Sequence, residues 1–311
     1  MGITKSEILL AELNTFFQRA NPKNIFSSIY AYYRTYENYK DVLLNIVRGK
    51  YPFQAKLRDG RAVNISNHIM AYFYTVYFTK LHIIRLDDNI LEFVFNNRDV
   101  IFYEWNKGDV ESSFAFHDYD FLDVTNKIVV DIGGSIADTA IYFALKGAKK
   151  VIVFEPFPKI FNIAQRNIKV NRLEDKIVLV NAGCGYDGEV RIREDVESNA
   201  GTPLIDFAGT PLIDFGEGVK IPVYNLNTIV SKFNIERGSV LKVDCEGCEY
   251  DLIRNANKET LNRFEKIQIE YHYGYKELVS ILKENGFKTK ITIPRYTPRG
   301  MIIGYVYAWK L

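Results

Sequence analysis

Hydrophobic and polar positions divide the chain into regions of different rhythm. Up to about residue 50 the apolar residues recur at helical spacing. Leu9, Leu13, Phe16 and Phe17 form one stripe, and Val42, Leu43, Ile46 and Val47 form another before Gly49. Asn21-Pro22 separates the two. From Tyr51 the period falls to two. Asp59-Gly60, Asp87-Asp88-Asn89 and Asn96-Asn97 stand between or beside short alternating runs and predict hairpins. Between them, Ile69–Phe78 (IMAYFYTVYF) is a dense aromatic block. A lid over a ligand, a membrane-surface patch and plain core all suit it, and core is the usual fate of such a block.

Beyond residue 120 strands and helices alternate, the pattern of an α/β domain with a mostly parallel sheet. Lys127–Asp131 reads as a buried strand, Ala137–Lys146 as a helix and Val151–Phe154 as the next strand. Pro158–Val170 is a helix and Lys176–Asn181 a third strand, and Asp187-Gly188 turns the chain into Glu189–Arg193. Ser239–Asp244 and Lys266–Tyr271 are the fourth and fifth strands. A helix marked by Tyr275, Leu278, Val279 and Leu282 stops at Gly286. The last two runs, Phe287–Ile293 and Met301–Trp309, alternate and predict an antiparallel pair. The stretch AGTPLIDF occurs twice in succession, at 200–207 and 208–215, and reads as a loop insertion. The expected division is therefore 1–120, a helical arm with a small β unit, and 121–311, the α/β domain.

The candidate chemistry gathers at the first strand–turn–helix. Gly133 and Gly134 allow a tight turn and leave room for a ligand. Glu155 then stands at the carboxyl end of the second strand, where open α/β sheets bind ligands. A dinucleotide fingerprint would read G-x-G-x-x-G/A. Here the order is Asp131-Ile132-Gly133-Gly134-Ser135-Ile136-Ala137. A carboxylate at Asp131 repels a pyrophosphate and suits the cationic sulfonium and ammonium of S-adenosylmethionine.

Composition narrows the class further. With 47% apolar and 25% charged residues the 311-residue chain builds a real core, and a net charge of +2 gives no basic field for nucleic acid. Three cysteines argue against a disulfide framework and fit a reducing compartment. No signal pattern or membrane-length apolar run is present, so a cytoplasmic location without a membrane span is expected. Cys245 and Cys248 lack the second paired motif of a closed zinc site, and no metal is assigned.

The set VVDIGGSIADTAIYF, FEPFP, Asn167 with Asn171, LKVDCEGCE and IEYH, followed by Leu282 and Gly286-Phe287, resembles the FkbM family of methyltransferases over roughly residues 120–311. The resemblance implies a Rossmann-like class I methyltransferase domain, a mostly parallel seven-stranded sheet with a C-terminal antiparallel hairpin. It implies S-adenosylmethionine as cofactor and methyl transfer to a hydroxyl of a sugar, glycan or small-molecule acceptor. Where the family usually reads G-A-x-x-G-D this chain has Gly133-Gly134-Ser135-Ile136-Ala137-Asp138, and Leu226-Asn227 replaces a usual Leu-Asp. By this resemblance Asp131, Gly133, Gly134, Ser135, Ala137 and Asp138 surround the methionine part, Glu155 and Pro156 the ribose, and Asn181 and Ala182 the adenine. Asp244 lies beside the transferring methyl, with Glu246 and Glu270 on the acceptor side. His272 is the first candidate for general base, because histidine titrates near neutrality, and Asp244 the second. Glu249 reads as a solvent-facing carboxylate at a helix start. Two other readings stand beside this one. One is an RNA or base methyltransferase, disfavoured by the acidic Asp244-Cys245-Glu246-Gly247 stretch; the other is a catalytically degenerate binding module of the same fold.

Overall fold

Pro22 opens the first helix described, where its missing N–H is one that no helix could pair. The computed structural model describes residues 8, 11, 22–192, 218–297 and 301–310. The chain divides into two compact units, Phe16–His117 and Asp118–Leu311 with Met1–Thr15. The stripe at Leu9, Leu13, Phe16 and Phe17 and the duplicated AGTPLIDF lie outside the described residues. No helix among the described residues is long and apolar enough to cross a membrane.

In the first unit, α1 (Pro22–Thr35) and α2 (Tyr39–Val47) precede the antiparallel pair β1 (Phe53–Lys56) and β2 (Ala62–Ile65). Asp59-Gly60 lies in the connection, as its turn chemistry predicts. The aromatic block is a helix, α3 (His68–Lys80), capped by the Asn67 side chain accepting from the Met70 N–H. Met70, Ala71, Tyr74 and Tyr77 are buried, and Trp105 packs edge-on against Phe73, Tyr74 and Tyr77, so the block is core. An antiparallel meander follows, β3 (His82–Leu86), β4 (Ile90–Phe95) and β5 (Arg98–Tyr103). Its second turn holds Asn96 and Asn97 at φ 51° and 58°, the left-handed pair a two-residue hairpin needs.

The second unit is built on β6 (Ile128–Ile132), α4 (Asp138–Leu145), β7 (Lys150–Phe154), α5 (Pro158–Val170) and β8 (Ile177–Val180). A small sheet, β9 (Gly183–Cys184), β10 (Gly188–Ile192) and β11 (Val219–Tyr224), comes next, with β11 in the middle; of the three the sequence pattern foresaw only β10. The chain continues through α6 (Leu226–Lys232), β12 (Ser239–Val243), α7 (Glu249–Arg254), α8 (Lys258–Leu261) and β13 (Phe264–Tyr271). It ends with α9 (Lys276–Glu284), β14 (Lys288–Ile291), β15 (Arg295–Tyr296) and β16 (Ile302–Trp309). Strands align in the order β14-β16-β13-β12-β6-β7-β8, with β15 paired to β16. The five from β13 to β8 are parallel, and β16 runs antiparallel to both β13 and β14. This is the expected seven-stranded sheet with its antiparallel C-terminal pair. Val130, Ile132, Leu241, Val243, Ile267 and Ile269 are buried at its centre.

The chain leaves β6 toward β7 and β8, then crosses back to place β12 on the other side of β6. That reversal opens a crevice at the carboxyl ends of β6 and β12, the position where such sheets take ligands. Gly133 and Gly134 sit there and make the tight turn that the sequence suggested. A Cβ on Gly133 would lie 1.8 Å from the Asp244 carbonyl oxygen, and one on Gly134 would lie 2.1 Å from a Val153 methyl. The glycines let the turn pack against its neighbouring strands. The helix expected from Ala137 begins instead at Asp138, because Ala137 is left-handed at φ 68°.

These contacts distinguish backbone strain from collision. Gly286 (φ +83°) has nothing within 4 Å of an added Cβ, whereas Gly133 (φ +80°) meets backbone. Gly286→Ala should cost about 1–2 kcal/mol of stability, and Gly133→Ala about 2–5 kcal/mol, with collision added to strain. Urea denaturation of both variants checks this, and equal losses would remove the packing role assigned to Gly133.

Candidate active site

The strand register places Asp131 of β6 directly beside Lys242 of β12, and Lys242 beside Gln268 of β13. All three side chains are buried. The Lys242 ammonium lies 3.1 Å from Asp131 Oδ1 and donates to the Gly133 carbonyl at 2.7 Å. Thr139, in the first turn of α4, donates to Asp131 Oδ2 at 2.6 Å. Burial opposes the Lys242 charge, but the Asp131, Asp244 and Asp138 carboxylates outweigh it and hold its pKa above the ordinary value. The sequence reading of Asp131 therefore changes. It does not face a cofactor's cation as a free charge; it is neutralised by a lysine and anchors the turn.

Glu155 follows β7 and is also buried. Its two carboxylate oxygens accept from the backbone N–H groups of Ser135 and Phe157, each at 2.9 Å. Burial pushes its pKa up to about 8, against the pull of those two donors. Each oxygen keeps a lone pair beyond the one already used. The Asn181 amide donates to the carbonyls of Glu155 and Pro156, bracing the loop after β7 from the end of β8. Ala182 is buried in the main core. Asp138, the first residue of α4, is buried near Lys242.

The third group comes from the ends of β12 and β13. Asp244, immediately after β12, donates its N–H to the Ile132 carbonyl, which fixes it beside the β6 turn. His272, after β13, has Nε2 3.2 Å from Glu246 Oε2 and 3.8 Å from Asp244 Oδ1. Its Nδ1 lies 3.1 Å from Glu249 Oε1, which also accepts the His272 backbone N–H. Burial works against a charged imidazole, but Glu249, Glu246 and Asp244 outweigh it and push its pKa up to about 10. The Tyr250 hydroxyl accepts from the Tyr273 N–H and donates to the Gly274 carbonyl, holding the segment after His272 against α7.

Several expectations change here. Glu249 is fully buried rather than solvent-facing, and its other oxygen accepts the Gly247 N–H at 2.8 Å. Cys245 and Cys248 are joined in a disulfide, Cα atoms 5.5 Å apart, where the cysteine count had suggested free thiols. Glu270 stands half-buried on β13 opposite Tyr305. Asn227 ties the start of α6 to the loop before α8, donating to the Asn255 carbonyl and accepting the Asn257 N–H.

The methyltransferase FkbM domain matches residues 124–289, more than half of the chain. The chain belongs to the FkbM methyltransferase family. Methyltransferase 1 of Beauveria bassiana is 22% identical over 192 residues, 56% of this chain and 77% of that protein. Ribosomal protein L11 methyltransferase of Carboxydothermus hydrogenoformans is 43% identical over 54 residues, 17% of this chain. The chain spans only 18% of that relative's length. Among solved structures, M. jannaschii TYW2 in complex with S-adenosylmethionine is 14% identical with a TM-score of 0.39, covering 73% of this chain and 90% of that one.

The cofactor of this FkbM methyltransferase is S-adenosylmethionine, and the donor set at the crevice suits it. Glu155 offers acceptor lone pairs for ribose hydroxyls. Asp131, Asp138 and Asp244 surround one lysine, so the crevice stays net negative toward a cation. Sequence reasoning missed Lys242, Thr139 and the structural use of Glu249. A lysine inside the buried run SVLKV was the available signal, since lysine is almost never buried without a partner.

Removing that lysine tests the account of the turn. Lys242→Met leaves Asp131 buried without its counter-charge and should cost about 3–5 kcal/mol in denaturant unfolding. Adding Asp131→Asn should recover part of the loss, as coupled sites do. A Lys242→Met protein as stable as the parent would refute the pairing.

Proposed function

We propose that this FkbM methyltransferase methylates a hydroxyl oxygen of a sugar, glycan or other small-molecule acceptor. The observation that carries the reading is the convergence of Asp244, Glu246 and His272 beside the β6 turn. A hydroxyl is a poor nucleophile until its proton leaves, and an acid–base cluster at this place gives that proton a destination. When bound, S-adenosylmethionine supplies a methyl group carried on a cationic sulfur.

The chain's own groups divide the remaining work. The turn Gly133–Ala137 and Asp138 flank the methionine part, Glu155 accepts from the ribose hydroxyls, and Asn181 with Ala182 borders the adenine. Asp244 takes the acceptor's proton. Its side chain is 23% exposed, whereas that of His272 is 4% exposed and its Nδ1 is committed to Glu249. His272 is then a positioning residue for the Asp244 and Glu246 carboxylates. Orientation of acceptor and donor contributes about 7–11 kcal/mol of barrier reduction, and the base roughly 10²–10⁴-fold in rate. A net charge of +2 and an acidic crevice favour an uncharged acceptor over a phosphate chain.

Glu155 makes cofactor binding proton-linked. Ribose hydroxyls donate to the ionised carboxylate, so a group titrating at about 8 must give up its proton on binding when the pH is lower. Calorimetry at pH 6.5 in two buffers of different ionisation enthalpy should read close to one proton released. Affinity should fall about tenfold per pH unit below 8. Glu155→Gln should abolish the release, and absence of proton release in the unaltered protein would count against the ribose role.

The acceptor class is tested by transfer of labelled methyl from S-adenosylmethionine into cell extract, fractionated into glycan, small-molecule, lipid, RNA and protein pools. Label is expected among glycans or small molecules. Asp244→Asn should lower kcat about 10²-fold or more with cofactor binding unchanged. Label in RNA would overturn the acceptor assignment, and cofactor binding without any transfer would indicate a binding module.

A further inference from the structure

We propose that Asp244, Glu246 and His272 bind one divalent cation of the Mn²⁺ or Mg²⁺ class. One ligand atom from each residue lies within 4.8 Å of the other two. The Nε2 separations are 3.2 Å to Glu246 and 3.8 Å to Asp244. An octahedral ion with ligands at about 2.1 Å places neighbouring ligand atoms about 3 Å apart and opposite ones about 4.2 Å apart. The three atoms therefore need only small rotations to share one ion.

The imidazole is oriented as a ligand. Its side chain is 4% exposed, and its Nδ1 is turned to the fully buried Glu249 carboxylate. That carboxylate is itself held by the backbone N–H groups of His272 and Gly247. A carboxylate behind an imidazole fixes the tautomer that presents Nε2 as an electron-pair donor, the usual support of a metal-bound histidine. Nε2 then faces two further carboxylates, three electron-rich groups directed at one point. A divalent ion balances that arrangement with two positive charges where a proton supplies one.

The donor chemistry selects the ion. Two carboxylate oxygens and one imidazole suit Mn²⁺ or Mg²⁺ rather than thiolate-seeking metals. The soft donors nearby, Cys245 and Cys248, are committed to each other. The sequence reading assigned no metal because it weighed a zinc set built on the Cys245–Cys248 pair, with Cys184 and His272, and not the carboxylates. Asp244 and Glu246 have side chains 23% and 26% exposed, so the ion's remaining positions open toward the acceptor side. There it would hold an acceptor hydroxyl beside the turn and lower its pKa. That use rests on the methyl-transfer reading, whereas the cation site does not.

The test uses full-length protein stripped with EDTA, without S-adenosylmethionine. Titration with Mn²⁺, followed by electron paramagnetic resonance of the free ion and by thermal shift, should show one ion per chain and a raised Tm. Mg²⁺ should compete. Asp244→Asn, at a partly exposed position that leaves the core closed, should weaken Mn²⁺ affinity at least tenfold, as should His272→Gln. No saturable Mn²⁺ binding, or parental affinity in either variant, would overturn the site. A parallel calorimetric titration with S-adenosylmethionine in EDTA separates the two ideas. Cofactor binding without Mn²⁺ binding sinks the cation site alone, while Mn²⁺ binding without cofactor binding sinks the methyl-transfer reading alone.

Discussion

A lysine ammonium buried between two parallel strands is the constraint from which the rest of the site follows. Lys242 reaches Asp131 across the β6–β12 boundary and the Gly133 carbonyl at the strand's end. Removing an ammonium from water is unfavourable by several kcal/mol unless opposite charge and hydrogen bonds compensate, so the pair forms only when both strands are in register. Once formed, it fixes the turn, and the turn fixes Asp244 through the glycine that lets the two backbones touch. The Gln268 side chain, in the next register position, donates to the Asp118 carbonyl, and Lys266 donates to that of Phe121. One row of polar side chains thus ties the first segment of the unit to the middle of the sheet.

The crevice is acidic in layers. Asp131 is cancelled by Lys242, Asp138 and Asp244 add negative charge beside it, and Glu155, raised to about 8, adds its own only when it gives up its proton. A second acidic group, Glu246, Glu249 and Asp244, encloses His272. Both layers suit cations: a sulfonium in the first, a proton or a divalent ion in the second. The FkbM methyltransferase domain uses low dielectric here to make a few carboxylates count for more than they would at the surface.

Much of this was legible in the chain. Period-two runs and their Asn and Asp turns located the hairpins, and buried β-branched runs located the parallel strands. The acidic residue after β7 was visible as Glu155 because it follows a strand directly. Less visible was the aromatic block 69–78, a helix that sends Met70, Tyr74 and Tyr77 into the core and leaves Ile69 and Tyr72 exposed. Gly133 and Gly134 were read as a tight turn with room for a ligand; hidden from the sequence was that neighbouring strands fill the space a side chain would take there. The cysteines were read as separate thiols, and Glu249 as exposed, because nothing local marks which way α7 faces.

By itself, the sequence determined the order and type of most of the elements and the family to which they belong. Those depend on spacing, turn residues and short motifs, all of which act over a few residues. The tertiary structure alone decided which charges are spent on each other. Lys242 and Gly133 are 109 residues apart, and His272 and Glu249 are 23 apart. Such partners meet only through strand register and burial, and burial is what turns an ordinary lysine, glutamate or histidine into a structural or chemical group.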